Sequence, residues 1–176
     1  MVSWETTLRQ GQCYSLVITL WCPFTTGQAS QNQAPWEGKE VPMHKHKGSC
    51  LCGKVTFVVE GDFESFFLCH CNLCRKDTGS AHAANLFSSS AHLRWLSGEN
   101  LVKTFDFQGS GHIKSFCTEC GSALPNLQMG GKLLVVPAGS LDSELSLRPN
   151  AHIFNSDKAS WDHDLEHIHR FEGLPE

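Results

Sequence analysis

Residues 69–74 read Cys-His-Cys-Asn-Leu-Cys, the densest of three cysteine clusters in this chain of 176 residues. Two shorter clusters flank it, Cys-Leu-Cys at residues 50–52 and Cys-Thr-Glu-Cys at residues 117–120. Cysteines one to three residues apart can converge on one tetrahedral zinc ion with sulfur at about 2.3 Å, whereas a disulfide between such near neighbours is strained. The clusters therefore predict zinc rather than disulfides.

The clustered cysteines divide into two ligand sets. A structural zinc takes four protein ligands, and a catalytic zinc takes three and leaves one position open. The first and last clusters together supply one four-cysteine site, at Cys50, Cys52, Cys117 and Cys120. The middle cluster supplies a three-cysteine site, at Cys69, Cys71 and Cys74. We predict two zinc ions per chain, the second of them catalytic; two purely structural ions, as in zinc ribbons, remain the alternative.

The open position of the three-cysteine site has two candidate protein ligands, His70 and His82. A histidine beside a zinc cysteine more often supports a ligand than binds the metal, so water or substrate is the simpler expectation. Three thiolates already overcompensate Zn²⁺, and a fourth would bring the centre to about −2. Nearby cations would offset that charge, and Arg75 and Lys76 follow Cys74 directly. We expect Arg75 to act at the catalytic site.

Composition restricts the function classes. The chain carries 18 Asp and Glu against 14 Lys and Arg, a formal charge of −4, and it has no basic surplus for a phosphate backbone. We therefore expect no nucleic-acid partner. With 40% hydrophobic residues, the length is right for one small domain with its own core.

Residues 1–42 show no periodic pattern, and patterned sequence begins after Met43. We interpret 1–42 as an N-terminal extension, poorly ordered or a frame extension, and 43–176 as the zinc domain. The apolar run 16–24 is shorter than the ~20 residues that span a bilayer. Glu5 disrupts the basic leader of a secretory signal, and an oxidising compartment would threaten the thiolates. We predict a cytoplasmic protein in which Cys13 and Cys22 have no ligand.

Local patterns predict a mainly β domain. β-Branched and aromatic residues favour strands over 55–59, 101–107 and 133–136, with glycines and a proline marking turns between them. One short helix is expected over residues 71–76. We also expect three later aromatic residues to be buried in the core: Phe154, Trp161 and Phe171.

Several separated motifs carry a family resemblance. They are CLCGKV at 50–55, CHCNLCR at 69–75, FCTECGS at 116–122, AGSLD at 138–142 and PNAHIF at 149–154. In this order they resemble the glutathione-dependent formaldehyde-activating enzyme family, which also includes centromere protein V-like proteins. The resemblance extends over roughly residues 47–173, about three quarters of the chain.

The resemblance implies an Mss4-like fold, a β-tent of small antiparallel sheets with two zinc sites and few short helices. It implies a structural four-cysteine site and a catalytic three-cysteine site. The activity it implies is condensation of formaldehyde with glutathione to S-(hydroxymethyl)glutathione, a carbon–sulfur lyase reaction in reverse. Lys114 is a departure, because relatives commonly have arginine there, and a point charge replaces a planar fork.

Glutathione, the expected co-substrate, has three candidate contacts, Arg75, Lys76 and His152. A hydrogen-bonded core position is the alternative for His152. Two other functions stay open: a non-catalytic zinc module of the centromere protein V-like type that binds another protein, and a carbon–sulfur lyase for a different thiol. We expect small-molecule partners, a thiol and an aldehyde, and no membrane; the sequence sets no oligomeric state.

Overall fold

The computed structural model describes residues 44–175, which form eleven short strands and one α-helix. The strands are β1 (Lys45–Ser49), β2 (Thr56–Glu60), β3 (Ser65–Cys69), β4 (Ala83–Ser88), β5 (His92–Ser97), β6 (Val102–Phe107), β7 (His112–Cys117), β8 (Ala123–Leu124), β9 (Asn126–Gln128), β10 (Leu133–Pro137) and β11 (Ala151–Ile153). The helix is α1 (Asn72–Thr78). Short 3-10 segments lie at Glu99–Leu101, Met129–Gly131, Ala138–Ser140, Asn155–Asp157, Ser160–Asp162 and Leu165–His167. The predicted mainly β fold with few short helices is confirmed.

The three strands and the helix predicted from local patterns all form, with ends shifted by one or two residues. They correspond to β2, β6, β10 and α1. The helix ends at Gly79, whose φ of +63° and N–H bond to the Arg75 carbonyl at 2.9 Å form a left-handed cap. The extension at 1–42, with Cys13 and Cys22, lies outside the described residues.

The strands form three small sheets. Their orders are β1-β2-β5, β11-β3-β4-β10-β9 and β6-β7-β8. The pairs are antiparallel as expected, except that β11 lies parallel to β3. Asn150 begins this pairing, since its side-chain oxygen accepts from Phe66 N–H at 2.7 Å and its own N–H donates to the Phe66 carbonyl at 2.8 Å. The central sheet is therefore mixed.

The core draws on all three sheets. Its fully buried apolar residues include Val55, Phe57, Val59, Leu86, Leu124, Leu134 and Val136. Two of the predicted strands, β2 and β10, supply most of them. By contrast, β6 is largely exposed, and its Phe105 and Phe107 stack on each other with ring centroids 6.5 Å apart.

The expected burial of three C-terminal aromatic residues is wrong. Phe154, Trp161 and Phe171 are each at least 60% exposed. After β11 the described chain has no strand, and its 3-10 segments are three residues each, which is too short to form an apolar face against the core. In this segment the core receives Ala159 and Asp162 instead.

No helix within residues 44–175 is long and apolar enough to cross a membrane.

Candidate metal centres and cleft

The four-cysteine site brings together ligands from distant parts of the chain. The sulfurs of Cys50, Cys52, Cys117 and Cys120 all lie within 4.8 Å of one another. The Cys50 and Cys52 sulfurs are 3.4 Å apart, and those of Cys52 and Cys117 are 4.0 Å apart. A zinc tetrahedron with bonds of about 2.3 Å has edges of about 3.8 Å, so the sulfurs fit one ion.

Two tight turns shape this site. In the turn after β1, the Val55 N–H donates to the Cys50 sulfur at 3.3 Å, and in the turn after β7 the Gly121 N–H donates to the Cys117 carbonyl at 2.8 Å. Hydrogen bonds from the side chain and backbone of Ser122 lower the pKa of Cys120 to about 6. A thiolate at neutral pH is the form that binds a metal.

Burial distinguishes two of these ligands. Cys50 and Cys117 are buried members of the hydrophobic core. An ion in the four-cysteine site would therefore join the turn between β1 and β2 to the end of β7, in a different sheet.

The three-cysteine site is local. Cys69 ends β3, Cys71 caps the N-terminus of α1 by accepting the Cys74 N–H at 3.4 Å, and Cys74 lies in the first turn. Their three sulfurs lie within 4.8 Å of one another. The strand end and the helix start thus hold three ligands within six residues.

The electrostatics of this site favour a cation. Burial raises the pKa of Cys69 and, more strongly, that of Cys74, where the other two sulfurs raise it further. Burial also acts on Cys71, but hydrogen bonds from the Cys74 N–H and the neighbouring sulfurs outweigh it and lower its pKa. A divalent ion would remove the repulsion between the thiolates, so the residues fit zinc.

The three-cysteine site lies at the wall of a cleft of about 150 Å³. Cys69 and Cys74 line it. The other lining residues that carry polar side chains are Asp77, Asn85, His112, Lys114, Ser115, Asn126 and Gln128. A small polar reactant that enters this cleft would therefore meet the sulfur cluster.

One charged group of the cleft is a three-residue network centred on Asp77. The Lys114 ammonium lies 2.5 Å from Asp77 Oδ1 and donates to the Asp77 carbonyl at 2.7 Å, while His112 Nε2 lies 3.1 Å from Asp77 Oδ2. Sequence reasoning missed Asp77 and His112. The available signal was the position of Asp77 one helical turn beyond Cys74, together with alternation along β7 from His112 to Lys114.

The two cations predicted to act at the three-cysteine site, Arg75 and Lys76, lie outside its cleft. Lys114 supplies the ammonium of the cleft instead. Lys76 lines a neighbouring apolar depression of about 320 Å³ with Phe105 and Phe107. This depression shares Asp77, His112 and Lys114 with the cleft.

The three predicted histidines lie outside the cleft. β11 places Ile153 in the cleft wall, and His152 instead meets His70, with Nδ1 of His152 2.8 Å from Nε2 of His70. His70 and His82 do not join the three sulfurs, since they converge with Asp162 in a separate group. The structure therefore brings neither candidate fourth ligand to the three-cysteine site.

Two comparisons with known proteins found similarities to this chain. A family model described as "Glutathione-dependent formaldehyde-activating enzyme" matches residues 45–157, a range that contains all seven clustered cysteines and the cleft. A crystal structure of a Rhodobacter sphaeroides protein is also similar, with 25% sequence identity and a TM-score of 0.47. The match covers 60% of this chain and 98% of that one.

Proposed function

This chain belongs to the glutathione-dependent formaldehyde-activating enzyme family, and on that premise we propose that it joins formaldehyde to glutathione at a zinc ion held by the three-cysteine site. The product is S-(hydroxymethyl)glutathione, so the enzyme is a carbon–sulfur lyase working in the direction of synthesis. The observation that carries the proposal is the opening of this site to a cleft through Cys69 and Cys74.

The reaction has a simple balance. The glutathione sulfur forms a bond to the aldehyde carbon, the carbonyl π bond breaks, and the thiol proton ends on the new hydroxyl oxygen. When bound, zinc makes a neighbouring thiol easier to deprotonate and holds it close to the aldehyde. The chain itself must therefore place a cation near the developing oxyanion and move one proton.

Lys114 and His112 are suited to these two tasks. The Lys114 ammonium is held in the cleft by Asp77 and can donate to an oxygen on which negative charge develops. His112, oriented by the same carboxylate, presents an imidazole that can accept the thiol proton and return it to the alkoxide. Asp77 positions both groups.

The cleft size limits what enters it. Sites for drug-sized ligands occupy about 300–1,000 Å³, so a cleft of about 150 Å³ has room for formaldehyde and a thiol arm, but not for a whole tripeptide. The remainder of glutathione has space in the adjoining depression, where Lys76 can pair with a carboxylate. We retain Lys76 as a glutathione contact and place glutathione in a reducing, cytoplasmic setting.

Exchange NMR between formaldehyde and its glutathione adduct tests the proposal, since it detects catalysis at equilibrium. We expect the wild-type protein to accelerate exchange above the uncatalysed control, and Cys71→Ser to abolish the acceleration while leaving the fold intact. Cys13→Ser is the matched control, because it removes a cysteine outside the clusters. Equal exchange with and without the zinc-loaded wild-type protein would contradict the proposal.

A protein-binding module of the centromere protein V-like type is a second candidate, favoured by one observation. Phe154, Trp161 and Phe171 are exposed, and exposed aromatic residues are common at protein interfaces. A folded, zinc-loaded protein that accelerates no exchange would favour this function. Repeating the assay with cysteine or coenzyme A distinguishes this binding module from a lyase that uses another thiol, because only the lyase would accelerate exchange with its own thiol.

A further inference from the structure

A second group of metal-ligand side chains, distinct from the thiolates, consists of His70, His82 and Asp162. One ligand atom from each lies within 4.8 Å of the other two. His70 follows β3, His82 precedes β4, and Asp162 lies in the 3-10 segment Ser160–Asp162. The proposed reaction uses none of them. We infer that this His₂Asp cluster binds a further divalent transition-metal ion, with zinc the best match.

One ligand atom of each residue in the cluster lacks a hydrogen-bond partner. His70 Nδ1, His82 Nδ1 and Asp162 Oδ2 are buried atoms without a hydrogen-bond partner. Only two other side-chain atoms within residues 44–175 share that condition, so such atoms are concentrated here. His70 is 1% exposed and Asp162 is 6% exposed. Buried polar atoms nearly always have partners, and one cation satisfies these three atoms together when both imidazoles present the Nδ1 lone pair.

The spacing fits a metal. His70 Nδ1 lies 3.3 Å from Asp162 Oδ2. A zinc tetrahedron with bonds of about 2.0–2.1 Å to nitrogen and oxygen has edges of about 3.3 Å. Two imidazoles and one carboxylate are a recurrent set for zinc and for ferrous iron, and they leave at least one position open.

His152 gives the cluster its supporting contact. Nδ1 of His152 lies 2.8 Å from Nε2 of His70. If Nε2–H of His70 donates to His152, the lone pair of His70 Nδ1 is free to face Asp162 and His82. Such an outer hydrogen bond commonly fixes the tautomer of a metal-binding histidine. His152, which does not line the cleft, thus orients His70 in the proposed metal site.

Lys158 opposes the ion and thereby supplies a sharp test. Its ammonium lies 3.8 Å from Asp162 Oδ2, where it would repel a bound cation. Removing that charge should tighten metal binding. If Asp162 served only to pair with Lys158 or with a protonated His70, removing the lysine would not increase affinity for any metal.

The experiment compares metal content and affinity in full-length, zinc-loaded proteins. We expect Asp162→Asn and His82→Ala each to bind one equivalent less than wild type, and the neighbouring exposed His163→Ala to bind as many. Lys158→Met should bind the affected equivalent about three- to tenfold more tightly. With Co²⁺, the lost equivalent should leave the sulfur-to-metal charge-transfer bands unchanged, because its ligands are nitrogen and oxygen.

Three results would overturn the inference. They are equal metal content in wild type, His82→Ala and Asp162→Asn; loss of charge-transfer intensity with the missing equivalent; and unchanged or weaker metal binding in Lys158→Met. If Asp162→Asn fails to fold, His82→Ala and Lys158→Met still decide the matter. The inference is independent of the proposed reaction, since an inactive protein can show the same stoichiometry.

Discussion

The four-cysteine and three-cysteine sites both consist of cysteines, but the first draws them from distant segments and the second from one short segment. The first joins segments 65 residues apart, with Cys50 and Cys117 in the core, whereas the second lies within residues 69–74 at the wall of a cleft. An ion between distant segments stabilises the folded chain, because the unfolded chain cannot hold its ligands together. An ion held by one local segment contributes less to the stability of the folded chain, so its site can be used for catalysis. On this ground we propose that the four-cysteine site is structural and the three-cysteine site reactive.

The largest expected effect is loss of folding when the joining site is broken. Cys117→Ser should not reach the native state, because structural zinc supplies about 10–16 kcal/mol, as much as the whole stability of a typical domain. Circular dichroism and metal content measure this. Cys71→Ser is the control from the local site and should stay folded. Equal unfolding of both variants would remove the distinction between the sites.

The next effect concerns the cleft. Lys114→Met should lower kcat/KM by about 10- to 100-fold, because it removes the cation beside the developing oxyanion and leaves Asp77 with His112 as its only side-chain partner in this network. Lys114→Arg should restore much of the rate, since a guanidinium can reach the same carboxylate. Exchange NMR with varied glutathione measures both. Equal rates for the methionine and arginine variants would show that charge at this position is unimportant.

A smaller effect is expected at the adjoining depression. Lys76→Ala should raise KM for glutathione about threefold and leave kcat unchanged, since an exposed ion pair to the substrate contributes little. Lys132→Ala removes an exposed lysine that lines neither cavity, and it should have no effect. A change in kcat alone would assign Lys76 to the reaction rather than to binding.

The smallest effect lies beside the four-cysteine site, where Lys54 pairs with Glu119 across the same two turns that a bound metal would join. The side-chain hydrogen bond from Lys54 lowers the pKa of Glu119, so the pair stabilises the protein above the ordinary pKa of glutamate. That stability disappears as the pH falls through the lowered pKa. Glu119→Gln should lower Tm by no more than about 2 °C at pH 7. Melting curves against pH should show the difference vanish well below pH 4.

Local spacing was enough to predict some features and not others. All ligands of the three-cysteine site lie within six residues, and the strands β2 and β10 carry their β-branched pattern in one run each. The network of Asp77 and His112 depends on how α1 packs near β7, which no local pattern encodes. The parallel pairing of the three-residue strand β11 with β3 likewise depends on tertiary packing and not on a local pattern.

The two least predictable features are tertiary. His70, His82 and Asp162 come from three segments, so their convergence has no spacing signature. Trp161 has a large apolar side chain, which favours burial. It is exposed because its 3-10 segment places Asp162 in the interior instead. Burial of an aromatic residue requires a partner face, and only the fold determines where such faces lie.

Titration of the Co²⁺-substituted protein with glutathione tests most directly whether the local site is open. We predict that glutathione increases the sulfur-to-cobalt charge-transfer absorption by one thiolate's share in wild type, and that this increase is lost in Cys71→Ser. The four-cysteine site, already complete, should contribute no change. A spectrum that glutathione leaves unaltered would show that both cysteine sites are closed, and it would contradict the division between a structural and a reactive ion.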